Sequence, residues 1–121
     1  MSKIAAPDRV TLETRWLDLT RKLLPAAAAS RRWPVSADHC FQRILLDNAC
    51  HGIWYDRIAR RPAYAHADPA VLLDAIALAE AALAGEADMH ALNRRSLAWR
   101  KQKSLGDQRV AKAFYGGRGK D

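Results

Sequence analysis

The stretch from Trp33 to Trp54, WPVSADHCFQRILLDNACHGIW, constrains the fold most, because it joins a strong helix-start signal to an apolar stripe of helical period. Pro34 fixes the entering chain and biases Trp33 away from helical angles. Ser36 is placed to accept from the first N–H groups of a helix, and Asp38 puts a negative charge at the positive end of the helix dipole. The helix is predicted to run to about Cys50, with Gly52 as its break or cap. At about 100° per residue, Phe41, Ile44, Leu45, Asn48 and Ala49 share one side, which faces a core. His39, Arg43, Asp47 and Cys50 share the opposite side, flanked by Cys40 and His51.

That polar line has two readings, and nothing local separates them. In the first it is a solvated face on which Arg43 and Asp47 form an i,i+4 ion pair worth about 0.2–0.5 kcal/mol. In the second it is a site: Asp47 orients Arg43, Arg43 holds an anion, and His39 transfers a proton.

His39-Cys40 and Cys50-His51 resemble pairs of metal ligands. On one continuous helix, Cys40 and His51 stand roughly 16 Å apart along the axis at about 1.5 Å per residue. Zinc needs its ligands at about 2.0–2.3 Å, so one ion cannot bridge them and no metal site is expected. A disulfide fails on the same separation, and both thiols are expected to be reduced. His39 and Cys40 point about 100° apart, which places the imidazole badly for activating the thiol. His51, His66 and His90 read as packing or surface residues. The phosphate-binding, dinucleotide, zinc-protease and nucleophile-elbow motifs are missing from the sequence, and no cofactor is implied.

Charge is the second informative feature. The formal net charge is +7, and residues 1–93 balance to zero. Residues 94–121 hold nine basic residues against Asp107 and Asp121, so they carry the whole excess. A neutral body with a basic end points to an acidic partner, most often nucleic acid. Arg94, Arg95, Arg100, Lys101 and Lys103 are the candidates for contacting phosphates, with Arg109, Lys112, Arg118 and Lys120 following the backbone. Trp99, Phe114 and Tyr115 interleave and suit stacking on unpaired bases. A solvated, partly disordered terminus that aids solubility is the alternative reading of the same residues.

The rest of the chain reads as helix. After a disordered start, Val10, Leu17 and Leu24 fall seven apart, with Leu12, Trp16 and Leu19 between them, up to an interruption at Pro25. AAAAS restarts a turn or a short helix before Arg31-Arg32, and because alanine is the best helix former Pro25 can equally be the first residue of that restart. WYDRIARR is predicted to add a helical turn or two, and AYAHA to be a connector. Asp68-Pro69 opens an alanine-rich helix with the stripe Leu72, Ile76, Ala79 and Leu83, closed by Gly85. A further helix over about 86–103 carries Met89, Leu92, Ser96 and Trp99 on one stripe, and a short one is predicted over Asp107 to Phe114. No strand is expected. The chain is predicted to be an all-α, compact bundle of four or five helices with a basic C-terminal extension. Its predicted division is a helical domain over 1–103 and a basic flexible tail over 104–121. No apolar run approaches the ~20 residues of a membrane span, and MSKIAAPDRV lacks the apolar segment of a secretory signal, so the cytoplasm is the expected location.

Trp33-Pro34-Val35, Asp38-His39-Cys40-Phe41, Arg43-Ile44, Leu46-Asp47, Trp54, Leu92-Asn93, Ser96-Leu97 and Trp99-Arg100 form a pattern over about residues 31–100. In this pattern the chain resembles a family of small bacterial proteins, essentially uncharacterised, some of which bear an acetyltransferase label. The resemblance implies a bacterial origin and candidate residues, but no activity. An acetyl-CoA enzyme of the labelled type has an α/β fold with a Q/R-x-x-G-x-G/A loop, and neither is present in this sequence. The leading expectation is a binding protein that docks nucleic acid or another polyanion through its basic end. The alternative is an enzyme or ligand-binding protein centred on His39, Arg43 and Asp47 and enclosed by Trp33 and Trp54. A third is an adaptor whose alanine-rich helix forms a homodimer.

Overall fold

Leu12, Trp16, Leu19 and Leu24 recur at helical spacing, and all four side chains are buried against the rest of the chain. The computed structural model describes residues 8–115, with side chains as far as residue 108. The predicted disordered start, residues 1–7, lies outside the described residues. The buried stripe belongs to a continuous rod: α1 (Arg9–Asp18), a π-helical turn (Leu19–Leu23) and α2 (Leu24–Arg31). Asp8 caps its start by accepting from the Thr11 N–H at 2.8 Å, and this bond holds the Asp8 carboxyl below its ordinary range. Val10 belongs to the predicted heptad but is 74 % exposed, so the working stripe is the one through Trp16.

Pro25 does not interrupt the rod. A proline ring collides with the carbonyl four residues back, here Arg21, and Arg21 lies inside the widened π turn. The turn closes with the Leu24 N–H on the Leu19 carbonyl, and the helix passes Pro25 without a break. Thr20 lies buried in the same turn. Its hydroxyl donates to the Trp16 carbonyl at 2.9 Å and accepts from Gln42 Nε2 at 3.0 Å.

The central element is α3 (Asp38–Cys50). Its first turn has no side-chain cap: Ala37 occupies the capping position, so Ser36 does not play the part its sequence position suggests. Asp38 does stand in the first turn. At the other end His51, not Gly52, turns left-handed (φ 54°), and the Gly52 N–H returns to the Asp47 carbonyl at 3.0 Å. The connector WYDRIARR holds one 3-10 turn (Trp54–Asp56), and AYAHA, expected to be a connector, forms a short helix, α4 (Ala63–His66).

Asp68 and Pro69 start α5 (Pro69–Leu83) where the sequence places them. Leu72, Ala75, Ile76, Ala79 and Ala82 are buried, so α5 spends its alanine-rich face inside the fold, mainly against α3. Gly85 follows with φ 80°, a left-handed value that glycine adopts without strain. Finally α6 (Met89–Tyr115) runs unbroken through Gly106, one helix where two were expected. The described residues therefore form an all-α bundle of five helices, counting the rod as one. No helix among them is long and apolar enough to cross a membrane.

Long-reach arginines fasten the layers. Arg9 donates to the carbonyls of Ala67 and Tyr64, tying α1 to α4. Arg31 donates to the Ala82 carbonyl at 2.9 Å, a second donor on an acceptor near the end of α5 that also takes the Gly85 N–H.

Candidate functional site

The side of α3 that reads as a polar line is covered by α6. Asp47 is fully buried, Cys50 nearly so, and Arg43 half-buried. Asp47 and Arg43 do not form the i,i+4 pair of the solvated-face reading. Each reaches across to α6 instead. The Asp47 carboxylate accepts from Ser96 Oγ at 2.7 Å and from Arg100 through Nε at 2.8 Å and a terminal nitrogen at 3.1 Å. A fourth donor, the Trp54 N–H at 3.0 Å, pins the 3-10 turn to the same carboxylate. Arg43 donates to Ser96 Oγ at 2.9 Å and to Asn93 Oδ1 at 2.8 Å. The Ser96 hydroxyl thus joins Arg43 to Asp47, donating to one and accepting from the other.

Asn48 extends this seam. Its amide donates to the Ile44 and Leu92 carbonyls at 2.8 and 2.9 Å, and its oxygen accepts from Arg95 Nε at 3.0 Å. The spacing explains why these residue types sit where they do. Arg43 and Asp47 are four apart on α3, while Asn93, Ser96 and Arg100 fall three and four apart on α6, so each set lies on one helical face. Arg43, Asp47, Asn93, Ser96 and Arg100 also carry much of the family-like pattern, and in this fold all five belong to one hydrogen-bonded network. The bidentate bond to Asp47 holds the Arg100 guanidinium above its usual value. Burial, then the neighbouring Arg100 charge, pushes Arg43 the other way.

His39 stands outside the seam. Its side chain is 81 % exposed, with Nδ1 at 3.7 Å from Asp38 Oδ1. It does line a cavity of about 550 Å³ that it shares with Gln42, Arg43, Leu46, Trp54 and Arg61. The three candidates of the site reading therefore separate: His39 and Arg43 face one cavity, and Asp47 lies buried beneath with its acceptors engaged. Trp54 is a wall of this cavity. Trp33 is not, since it packs edge-on against Phe41 at 5.8 Å under the Arg31 guanidinium. Arg61 is the residue that sequence reasoning passed over. Its guanidinium lies 5.2 Å from the centre of the Trp54 ring. The available signal was the Arg60-Arg61 pair, set just before Pro62 and after an aromatic turn.

The nine cations of the basic end have different fates. Arg100 is committed to Asp47, and Lys103 pairs with Asp56 at 2.7 Å, beside the Tyr55 ring. The Asp56 bond holds the Lys103 ammonium above its ordinary value. Arg95 is exposed but tethered to Asn48, and it lines a groove of about 600 Å³ together with Trp99 and the apolar side of α5. Arg94 and Lys101 are exposed on the outer side of α6. The side chains of Arg109 and Lys112, and Arg118 and Lys120 entirely, lie outside the described residues, as do the side chains of Phe114 and Tyr115. The C-terminal region is thus rich in basic residues, and part of its charge is neutralised by ion pairs within the fold.

Neither cysteine meets a partner thiol, and no cluster of three metal-ligating side chains occurs among the described residues. Burial pushes the Cys50 thiol above its ordinary value, against the opposing charge of Arg57. Cys40 is half-buried near the start of the same helix. A thiol reagent is therefore expected to modify Cys40 in the native protein and to reach Cys50 only after unfolding. Two equally fast thiols by mass spectrometry would contradict the buried setting of Cys50.

No family model, curated protein or solved structure matches this chain.

Proposed function

We propose that the protein binds nucleic acid through the outer side of α6 and the basic residues that follow it. The observation that carries this reading is the pair Arg94 and Lys101, exposed and two turns apart on one helix line. They continue a segment that holds the entire net charge of the chain. Two phosphates along a backbone suit such a pair. A binding mode of this kind has affinity without sequence choice, because phosphate contacts position a protein and carry no base information. Trp99 is half-buried beside Arg95 in the groove against α5, about 140° around α6 from Arg94. It offers a ring to an unpaired base only if the strand wraps the helix, which favours flexible single strands. The two cations spent on Asp47 and Asp56 reduce the expected number of phosphate contacts; they hold the helix in place for the others.

The test is a salt series on the full chain with single-stranded and duplex oligonucleotides. Each phosphate contact contributes about 0.7 to the slope of log K against log salt for single strands and about 0.9 for duplex. The double variant Arg94→Gln/Lys101→Gln should lower that slope by about 1.4 to 1.8 and weaken binding to all sequences alike. Both residues are exposed, so the melting temperature should stay put. An unchanged slope would remove the reading.

A further inference from the structure

The cavity between α3, the 3-10 turn and the entry to α4 is not used by the nucleic-acid reading, and its chemistry is distinctive. Two guanidinium groups line it, with His39 at its mouth and Trp54 and Leu46 as apolar walls. No carboxylate lines it, since Asp47 lies buried beneath with its oxygens turned to Ser96, Arg100 and the Trp54 N–H. Among the described residues neither Arg43 nor Arg61 forms an ion pair.

Arg43 is the unusual member. Ser96 and Asn93 fix its orientation with two hydrogen bonds, and a guanidinium has five donors, so three remain. Both fixed partners are neutral. Burial and then the Arg100 charge hold its guanidinium below the usual value, outweighing the opposing pull of Asp47, whose carboxylate is engaged by Arg100. A partly desolvated cation that is held rigidly, with no carboxylate in direct contact, and faces a cavity is a preorganised receptor for an oxyanion. Arg61, over the Trp54 ring, supplies a second cation to the same cavity.

We propose that this cavity is a binding site for a small phosphate monoester with a flat apolar body. The phosphate sits between Arg43 and Arg61, and the body lies along Trp54 and Leu46. Charge selects phosphate over carboxylate: a phosphate monoester carries about −1.5 to −2 at neutral pH, which matches two guanidiniums better than a single negative charge does. The volume of about 550 Å³ falls within the range of small-molecule sites.

The experiment is a nitrogen–proton NMR titration of the full chain with phenyl phosphate, with inorganic phosphate, benzoate and a short oligonucleotide as separate arms. Phenyl phosphate is expected to give saturable shifts centred on Trp54, Arg43 and Arg61, with a Kd of about 1 mM or tighter. Inorganic phosphate and benzoate should each bind about tenfold more weakly, since the first lacks the body and the second carries only one negative charge. Arg61→Gln, an exposed change, should weaken phenyl phosphate about tenfold or more, while Arg94→Gln/Lys101→Gln should leave it unchanged. The last arm separates this site from the nucleic-acid surface. Absence of saturable shifts in the wild-type protein up to about 10 mM, equal binding of benzoate, or shifts centred on α6 for every anion would each overturn the assignment.

Discussion

Replacing Asp47 with alanine is expected to cost about 3–5 kcal/mol, the range for breaking a buried charged pair by removing one partner. The loss is large because one carboxylate serves four donors from three places. The Ser96 hydroxyl, both arms of Arg100 and the Trp54 N–H all lose their acceptor at once. Taking about 2.1 cal/mol/K of unfolding entropy per residue, the melting temperature should fall by roughly 12–20 °C. Arg100→Met should also destabilise, by leaving the carboxylate without its counter-charge. The double variant should cost less than the two changes added together, by about 0.5–3 kcal/mol, because each removes the same interaction. Additive costs in a thermal-melt cycle would mean that the two side chains act independently, and a loss under about 1 kcal/mol for Asp47→Ala would mean that its bonds are not made in solution.

Phe41→Ala should be comparably damaging, at about 3–5 kcal/mol. Phe41 has no exposed surface, so alanine leaves a cavity in the middle of the bundle. The edge contact with Trp33 goes with it, and such aromatic pairs contribute about 0.5–1.5 kcal/mol beyond area burial. His39, two residues earlier on the same helix, is the contrast. Its exposed side chain makes no buried contact, and His39→Ala should stay within about 0.5 kcal/mol of the parent in chemical denaturation. A stability loss at position 39 that rivals the loss at position 41 would mean that α3 is rotated from the face described here.

The fold was legible where a local signal stood alone. Asp68-Pro69 opened a helix, Gly85 closed it, and of the stripe between them Leu72, Ile76 and Ala79 are buried and Leu83 half-buried. The apolar side of α3 followed from its period. Pro25 could be read as an interruption or as the start of a new helix, and the chain takes the second course, because a widened turn upstream lets the proline pass. Gly106 misled: within a long helix the cost of a glycine is about 1 kcal/mol, and its neighbours carry the helix through.

The polar line on α3 was visible as a line, but its burial was not. Periodicity tells which residues share a face and is silent on what lies against it. A charge pair at i,i+4 looks the same whether it meets water or another helix. Asp47 finds its partners forty-nine and fifty-three positions away, a separation no spacing rule on α3 could supply. The basic end was legible as composition, but Arg100 and Lys103 turning inward depended on where Asp47 and Asp56 would come to rest. Arg61 escaped notice because it belongs to no periodic segment. It reaches the cavity through the irregular link between α3 and α5.

The seam also fixes how α6 is seated. Apolar side chains tolerate sliding, since one methyl group replaces another, but donors and acceptors do not. Moving α6 by one residue would advance it about 1.5 Å and swing every side chain through about 100°. Ser96 would then miss both of its partners, and Arg100 would leave a bare anion inside the protein. Only one vertical setting of the two helices closes all these bonds, so the last helix of the chain is keyed to α3 as a bolt is to its slot.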